Sequence, residues 1–379
     1  MSFWSDVMSK VNEDNLIEKS DEVLFDKKIS GLNIFDKSKV QKGLRFYDGK
    51  FIDSITGKVK YEFDYKYLGI LYNGFYFAQK DYEEKSWGMF NLDGSKVWIK
   101  DEPIHHEILG SDHNTVYVFT RETKMYKGRD VDFDVIVEYD LKGMEVSRFS
   151  LYDNLKDFKK YHSMLELDIP KLKWLPSFDF AKRKRESPWG GHYCYYHLNS
   201  LSIIPENKNS SDSRFQKGNW LLSFRHGSMI FILDKKSKKI VWSTSQKQVH
   251  GEIQGQHSPE MLENGNILIM DNGRYRSWSR VIELNPITNK IEFEYGNKKD
   301  NKFFSLSQGL SQKLDNGNIL ITQSESGRCF EINYKSKKIV WEFYHPSIQS
   351  IKNSKYKSNY GKRCWIYRMQ HFNYNEVQK

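Results

Sequence analysis

The stretch "GEIQGQHSPEMLENGNILIMDNG", residues 251–273, holds two signals side by side. Asn264-Gly265-Asn266 followed by Ile267-Leu268-Ile269 reads as a tight turn running into a buried strand. Asn-Gly tolerates the left-handed backbone such a turn needs, and a short apolar run suits a strand covered on both faces. Just before the turn His257 stands among glycine, glutamine and serine. Either it is a packed structural residue or the fold exists to present it.

Working outward, the turn-and-strand phrase recurs. "NGNILIMDNG" at 264 returns as "NGNILITQSESG" at 316, an offset of 52, and "GNWLLSFRHG" at 218 is the same unit 47 residues before "GNILIMDNG". "SKKIVW" at 237 returns unchanged at 336, with "TNKIEF" at 288 between them. Upstream copies are "TGKVKY" at 56, "DGSKVW" at 93 and "LKGMEVSRF" at 141. Each unit reads as four strands repeated at roughly 50 residues, the pattern of a β-propeller blade, whose two open faces are buried only by stacking around an axis. Six copies of the closing strand predict an all-β fold, a six-bladed β-propeller of four-stranded antiparallel blades with an N-terminal extension and one long insertion. The aromatic residues closing the units (Tyr61, Trp98, Phe149, Trp242, Phe293, Trp341) suit packing between blades.

The organisation expected is an N-terminal extension over 1–40, partly helical, a propeller over 41–370, and a C-terminal tail over 371–379. In the extension Phe3, Trp4, Val7, Met8 and Val11 share one helical face. Residues 150–195 break the period with prolines, aromatics and the basic run Lys182-Arg183-Lys184-Arg185, and a connection that long reads as a lid or wall over a site. The strand-like stretch "CWIYRMQHFNY" from Cys364 is expected to close the ring.

Composition agrees. Aromatic residues make up 15% of the 379-residue chain and favour strands. Lys and Arg number 59 against 49 Asp and Glu, a net charge of +10 that favours anionic partners. Basic residues lack the aromatic interleaving of a nucleic-acid face, so no nucleic acid is expected. Cys194, Cys329 and Cys364 lie far apart with no CxxC spacing, indicating neither a zinc site nor a disulfide framework. No apolar run reaches the roughly 18 residues of a membrane span. The start of the chain lacks a signal peptide, so a cytoplasmic protein is expected.

In register, His257, His197 with Asn199, and His105 with His106 fall just before the first strand of three blades. That strand lines a propeller's central channel, so three blades aim histidines at one axis. Arg225 and Asn272 match by the 47-residue offset at the far end of the second strand, facing the same mouth. His226 and His113, next to turns, read as surface residues, and Tyr195 and Tyr196 as core or rim aromatics. An enclosed Arg225 needs an anion, and its planar fork suits carboxylate, phosphate or sulfate. Neutral imidazole is a competent nucleophile near neutral pH. Three histidines with Glu107 or Glu252 could instead bind a metal.

At "HHE" (105–107), "HLNS" (197–200), "SFRHG" (223–227), "QHSPEMLENGNILIMDNG" (256–273), "SRVIEL" (279–284) and "LSQKLDNGNILI" (310–321), the sequence resembles the aryl-sulfate sulfotransferase family of bacterial β-propellers. The resemblance implies sulfuryl transfer from a phenolic sulfate ester to a phenolic acceptor through a sulfohistidine. His257 would be the nucleophile. His197, Arg225 and His106 would be catalytic, and Asn199, His105 and Asn272 substrate-binding. The partners implied are a small aryl sulfate donor and a phenol, with no cofactor and no metal, and the location implied for a processed form is periplasmic. The chain has no GxxxxGK[ST] loop, which argues against a nucleotide sulfate donor. Two alternatives stand beside this reading: a non-catalytic ligand-binding or scaffolding propeller, and a metal- or quinone-dependent propeller enzyme.

Overall fold

The computed structural model describes residues 30–80, 86–161, 193–245, 253–276, 278–347 and 363–377. Strand β1 (Gly31–Ile34) comes first and does not begin a blade. Blade 1 contains β2 (Leu44–Tyr47), β3 (Lys50–Asp53) and β4 (Val59–Glu62), and blade 2 contains β5 (Tyr67–Tyr72), β6 (Phe75–Gln79), β7 (Ser86–Phe90) and β8 (Lys96–Asp101). Blade 3 is β9 (Ile108–Gly110), β10 (Thr115–Tyr126), β11 (Arg129–Asp140) and β12 (Glu145–Ser150), after which come helix α1 (Leu155–Tyr161) and β13 (Tyr193–Cys194), which pairs with β11. Blade 4 is β14 (Leu198–Ile203), β15 (Trp220–Phe224), β16 (Met229–Leu233) and β17 (Ile240–Ser245). Blade 5 is β18 (His257–Met261), β19 (Ile267–Asp271), β20 (Arg280–Leu284) and β21 (Ile291–Tyr295). Blade 6 is β22 (Ser311–Lys313), β23 (Ile319–Gln323), β24 (Arg328–Ile332) and β25 (Ile339–Tyr344). The fold is the expected six-bladed ring.

The ring closes at both ends of the chain. Strand β26 (Gln370–Phe372) supplies the innermost strand of blade 1 through the register Leu44↔Phe372, as the "CWIYRMQHFNY" stretch suggested. At the other edge β1 pairs with β25 and gives blade 6 a fifth strand. Across this seam the buried Arg45 guanidinium pairs with the equally buried Glu331 and lies 4.0 Å from the centre of the Trp341 ring. The closing aromatics do bind neighbouring blades: Trp98 Nε1 donates to Leu141 O, Trp242 Nε1 to Pro286 O, and Trp341 Nε1 to Ser54 O. Apolar residues form six clusters of this interblade kind, so burial is distributed around the ring rather than gathered in one centre.

The repeated turns have a local cause. Asp53, Asp234, Asn285 and Asn333 each accept from the backbone N–H of Thr56, Ser237, Thr288 and Ser336 respectively, three residues on. Gly265 takes φ +81°, a conformation costly for other residues, and a Cβ there would sit 2.4 Å from Asn209 Nδ2. The remaining expected features lie partly outside the described residues. These include the helical face in residues 1–29 and most of the 150–195 insertion, with Lys182–Arg185. The three cysteines are free, and among the described residues no helix is long and apolar enough to cross a membrane.

Candidate active site

His257 is the first residue of β18 and is buried, 3% exposed. Its Nδ1 lies 2.8 Å from Asn272 Oδ1 and 3.1 Å from Gly255 O. Both neighbours accept, so Nδ1 carries the hydrogen. Asn272 is itself oriented, because its Nδ2 donates to Ser305 O and Gln308 O, each at 2.9 Å. The lone pair of His257 therefore sits on Nε2, approached among the described residues by the Gln308 backbone N–H at 3.3 Å. Burial first, then the Arg225 charge, push the His257 pKa down to about 3, so the ring is neutral at ordinary pH.

His106 and His197 meet edge to face with ring centres 4.8 Å apart, and His197 stands 4.8 Å from His226. Burial, aided by Arg121 and Arg225 nearby, holds the first two well below the usual histidine range. His105 lies behind His106. Its Nε2 faces the acceptors Thr120 O at 3.2 Å and Asp134 Oδ1 at 3.4 Å, so the hydrogen is on that nitrogen. Its Nδ1 then accepts from His106 Nδ1, 2.8 Å away, which leaves the His106 lone pair on Nε2. The backbone is left-handed at His106 (φ 59°), His197 (58°), Ser258 (49°) and Gln308 (56°). Such strain in non-glycine residues persists where surrounding structure enforces it, and it gathers at functional sites.

Arg225, just beyond β15, is 7% exposed and forms no ion pair among the described residues; its Nε has no hydrogen-bond partner. Burial and the neighbouring Arg274 charge push its pKa down to about 9, still protonated near neutrality. A buried arginine beside a second arginine, with no carboxylate paired to it among the described residues, is suited to receive an anion.

The expected residues thus converge, though two take other places than a substrate contact would require. Asn272 has its carbonyl on His257 and its amide on two backbone oxygens, so it orients the histidine. His105 is enclosed behind His106 and sets its tautomer. Asn199 donates from Nδ2 to Gln256 O at 2.7 Å, tying blade 4 to the residue before His257, and its Oδ1 is unpartnered. His226 corrects the expectation of a surface residue. It is 8% exposed, because its N–H donates to Tyr196 O and its ring packs on His197. His113 is exposed, and Tyr195 and Tyr196 are core, as expected. Gln308 and Arg274 were not anticipated. The 52-residue offset that links the two NGN phrases also carries Gln256 onto Gln308, so the repeat held that signal.

Cys194, His197 and His226 place one potential metal-ligating atom each within 4.8 Å of one another. The expected carboxylate partner Glu107 is instead paired with Arg368, Nη1 to Oε1 at 2.6 Å, and Glu252 lies outside the described residues.

The sequence profile of the arylsulfotransferase (ASST) family matches residues 89–345, more than half of the chain. No curated protein shows significant sequence similarity to it. Among solved structures it is similar to a protein of unknown function from Bacteroides caccae, with 13% identity, a TM-score of 0.45, and coverage of 87% of this chain and 98% of that one. It is also similar to the β-propeller domain of Cps50 (Swd1) from Myceliophteria thermophila, with 11% identity, a TM-score of 0.44, and coverage of 84% and 90%. The family match stands on the blades that carry His106, His197, Arg225 and His257, and the chain belongs to the arylsulfotransferase (ASST) family.

Proposed function

We propose that this protein transfers a sulfuryl group from an aryl sulfate to a phenol in two steps, through a sulfohistidine at His257 Nε2. The observation carrying this reading is the pairing of a neutral imidazole, held with its lone pair on Nε2, with a buried arginine that no carboxylate among the described residues neutralises. In the first step the Nε2 lone pair forms the N–S bond as the S–O(aryl) bond breaks, and the phenolate leaves with that electron pair. In the second, His106 Nε2 takes the acceptor's phenolic proton while the acceptor oxygen attacks sulfur. The N–S bond then breaks and returns the lone pair to Nε2. Imidazole serves as both nucleophile and leaving group, which is what a two-step transfer needs.

Arg225 binds the sulfuryl oxygens through its fork, and the Gln308 N–H and His197 add fixed donors as charge shifts onto those oxygens. Few competing dipoles reach such a buried site, so each donor counts for more than in water. The test is intact-mass measurement after exposure to an aryl sulfate, with peptide mapping. One added sulfuryl group on His257 is expected. Turnover without any adduct, or an adduct elsewhere that survives His257→Asn, would overturn the assignment.

A metal-dependent reading has one observation in its favour, the Cys194–His197–His226 cluster. Against it, Arg121 and Arg225 disfavour positive charge on His197 and His226, and Arg274 adds to this at His226. The same field that repels a cation there attracts sulfate. Elemental analysis of the purified protein decides: stoichiometric zinc or copper would favour the metal.

A further inference from the structure

Beyond the histidines the inner strands enclose a second space. It is an axial cavity of about 510 Å³, walled by β9, β14, β18, β22 and the approach to β26. None of His105, His106, His197, His226 and His257 lines it. Its rim carries the exposed Asp112 and Lys217, 4.0 Å apart.

The wall holds polar atoms with no partner among the described residues: Ser200 Oγ, Ser311 Oγ, Gln370 Oε1, and Nε and Nη2 of Arg368. Ser200, Ser311 and Arg368 are 3%, 0% and 7% exposed. Buried polar groups are ordinarily satisfied, so several orphans around one cavity mark a site shaped for something that hydrogen-bonds to it. Arg368 commits Nη1 to Glu107. What it leaves unpartnered is the buried Nε–Nη2 edge, the geometry that grips a carboxylate with two parallel bonds.

Glu260 lines the same cavity, half-buried, and forms no ion pair among the described residues. Burial pushes its carboxyl up to about 7, opposed only by a hydrogen bond from the Lys313 backbone. A ligand carrying only negative charge would meet Glu107 and Glu260 with one arginine to offset them. A ligand carrying only positive charge would leave the arginine edge bare. One bearing both charges answers both groups, and the cavity falls in the size range of small-molecule sites.

We propose that the axial cavity binds a small zwitterion of the amino-acid class, its carboxylate on the Nε–Nη2 edge of Arg368 and its ammonium on Glu260. This site is separate from the histidine ring and does not depend on sulfuryl transfer.

The test is calorimetric titration of the full chain with L-phenylalanine, phenethylamine and 3-phenylpropionate. These share one ring and differ only in charge, and none is a phenol, so none can accept a sulfuryl group. Phenylalanine should bind at least about tenfold more tightly than either single-charge analogue, the worth of one charge-assisted hydrogen bond. Glu260→Gln, nearly isosteric, should erase its margin over phenylpropionate, and Ser311→Met, which fills the cavity, should abolish binding. His257→Asn should bind phenylalanine as the unaltered protein does. Equal affinities for the three compounds, an unaffected Glu260→Gln, or loss of binding in His257→Asn would each overturn the proposal; the last would put the ligand at the histidine ring.

Discussion

Asn272 Oδ1 lies 2.8 Å from His257 Nδ1, and the amide end of the same asparagine is held by the carbonyls of Ser305 and Gln308. A side chain with an acceptor at one end and donors at the other thus reads the backbone of the next blade and transmits its orientation to the imidazole. Replacing Asn272 with Ala should lower kcat for aryl sulfate by about 10²-fold, in the range of misoriented acid–base groups, with little change in KM. Asn272→Asp should do something a merely structural residue would not. Its carboxylate stabilises imidazolium and should move the acid limb of the pH–rate profile to higher pH.

Arg225 opposes stability and function. Arg225→Met should raise the unfolding free energy by about 1–4 kcal/mol, since a buried charge without a partner is replaced by apolar volume. The same change should reduce kcat/KM for aryl sulfate by about 10²–10³-fold. Thermal melts with added sulfate provide the check: sulfate should raise Tm of the unaltered protein and not that of Arg225→Met.

The pH dependence follows from the signs. The folded-state pKa of His257, about 3, lies below the unfolded value near 6.5, so the unfolded chain binds more protons between them. His106, His197 and His226 are depressed in the same direction. Stability should therefore be full above about pH 6.5 and fall as pH drops toward 3. His257→Asn should flatten part of that loss in urea titrations across pH. At the alkaline end Arg225 loses its charge as pH rises through about 9, so KM for the sulfate donor should climb there.

The seam should be the ring's weak point. Trp341 is fully buried, lies under Arg45 and donates to Ser54 O of blade 1. Trp341→Ala should cost about 3–5 kcal/mol, measured by chemical denaturation. Deleting residues 370–379 removes β26, exposes the inner edge of β2 and should cause aggregation visible by light scattering.

Several features were legible in the chain alone. The 47- and 52-residue offsets determined the blades, because the NGN turns and the Asp/Asn–Ser/Thr turns are local chemistry that repeats wherever the residues repeat. The same register aimed His197 and His257 at the axis and put Arg225 at the far end of a second strand, facing the mouth, since strand periodicity carries sequence phase directly into direction. Tertiary structure decided what those residues are. His226 looked like a turn residue and is buried because its backbone bonds Tyr196 O and its ring packs on His197. Asn272 and His105 looked like substrate contacts, and their roles emerged from partners 33 and 36 residues away in the first case and 15 in the second. Tautomers, an unpaired guanidinium and orphaned hydroxyls in a cavity depend on which neighbours are present and which are missing. That is a property of the closed ring, to which no single blade's sequence has access.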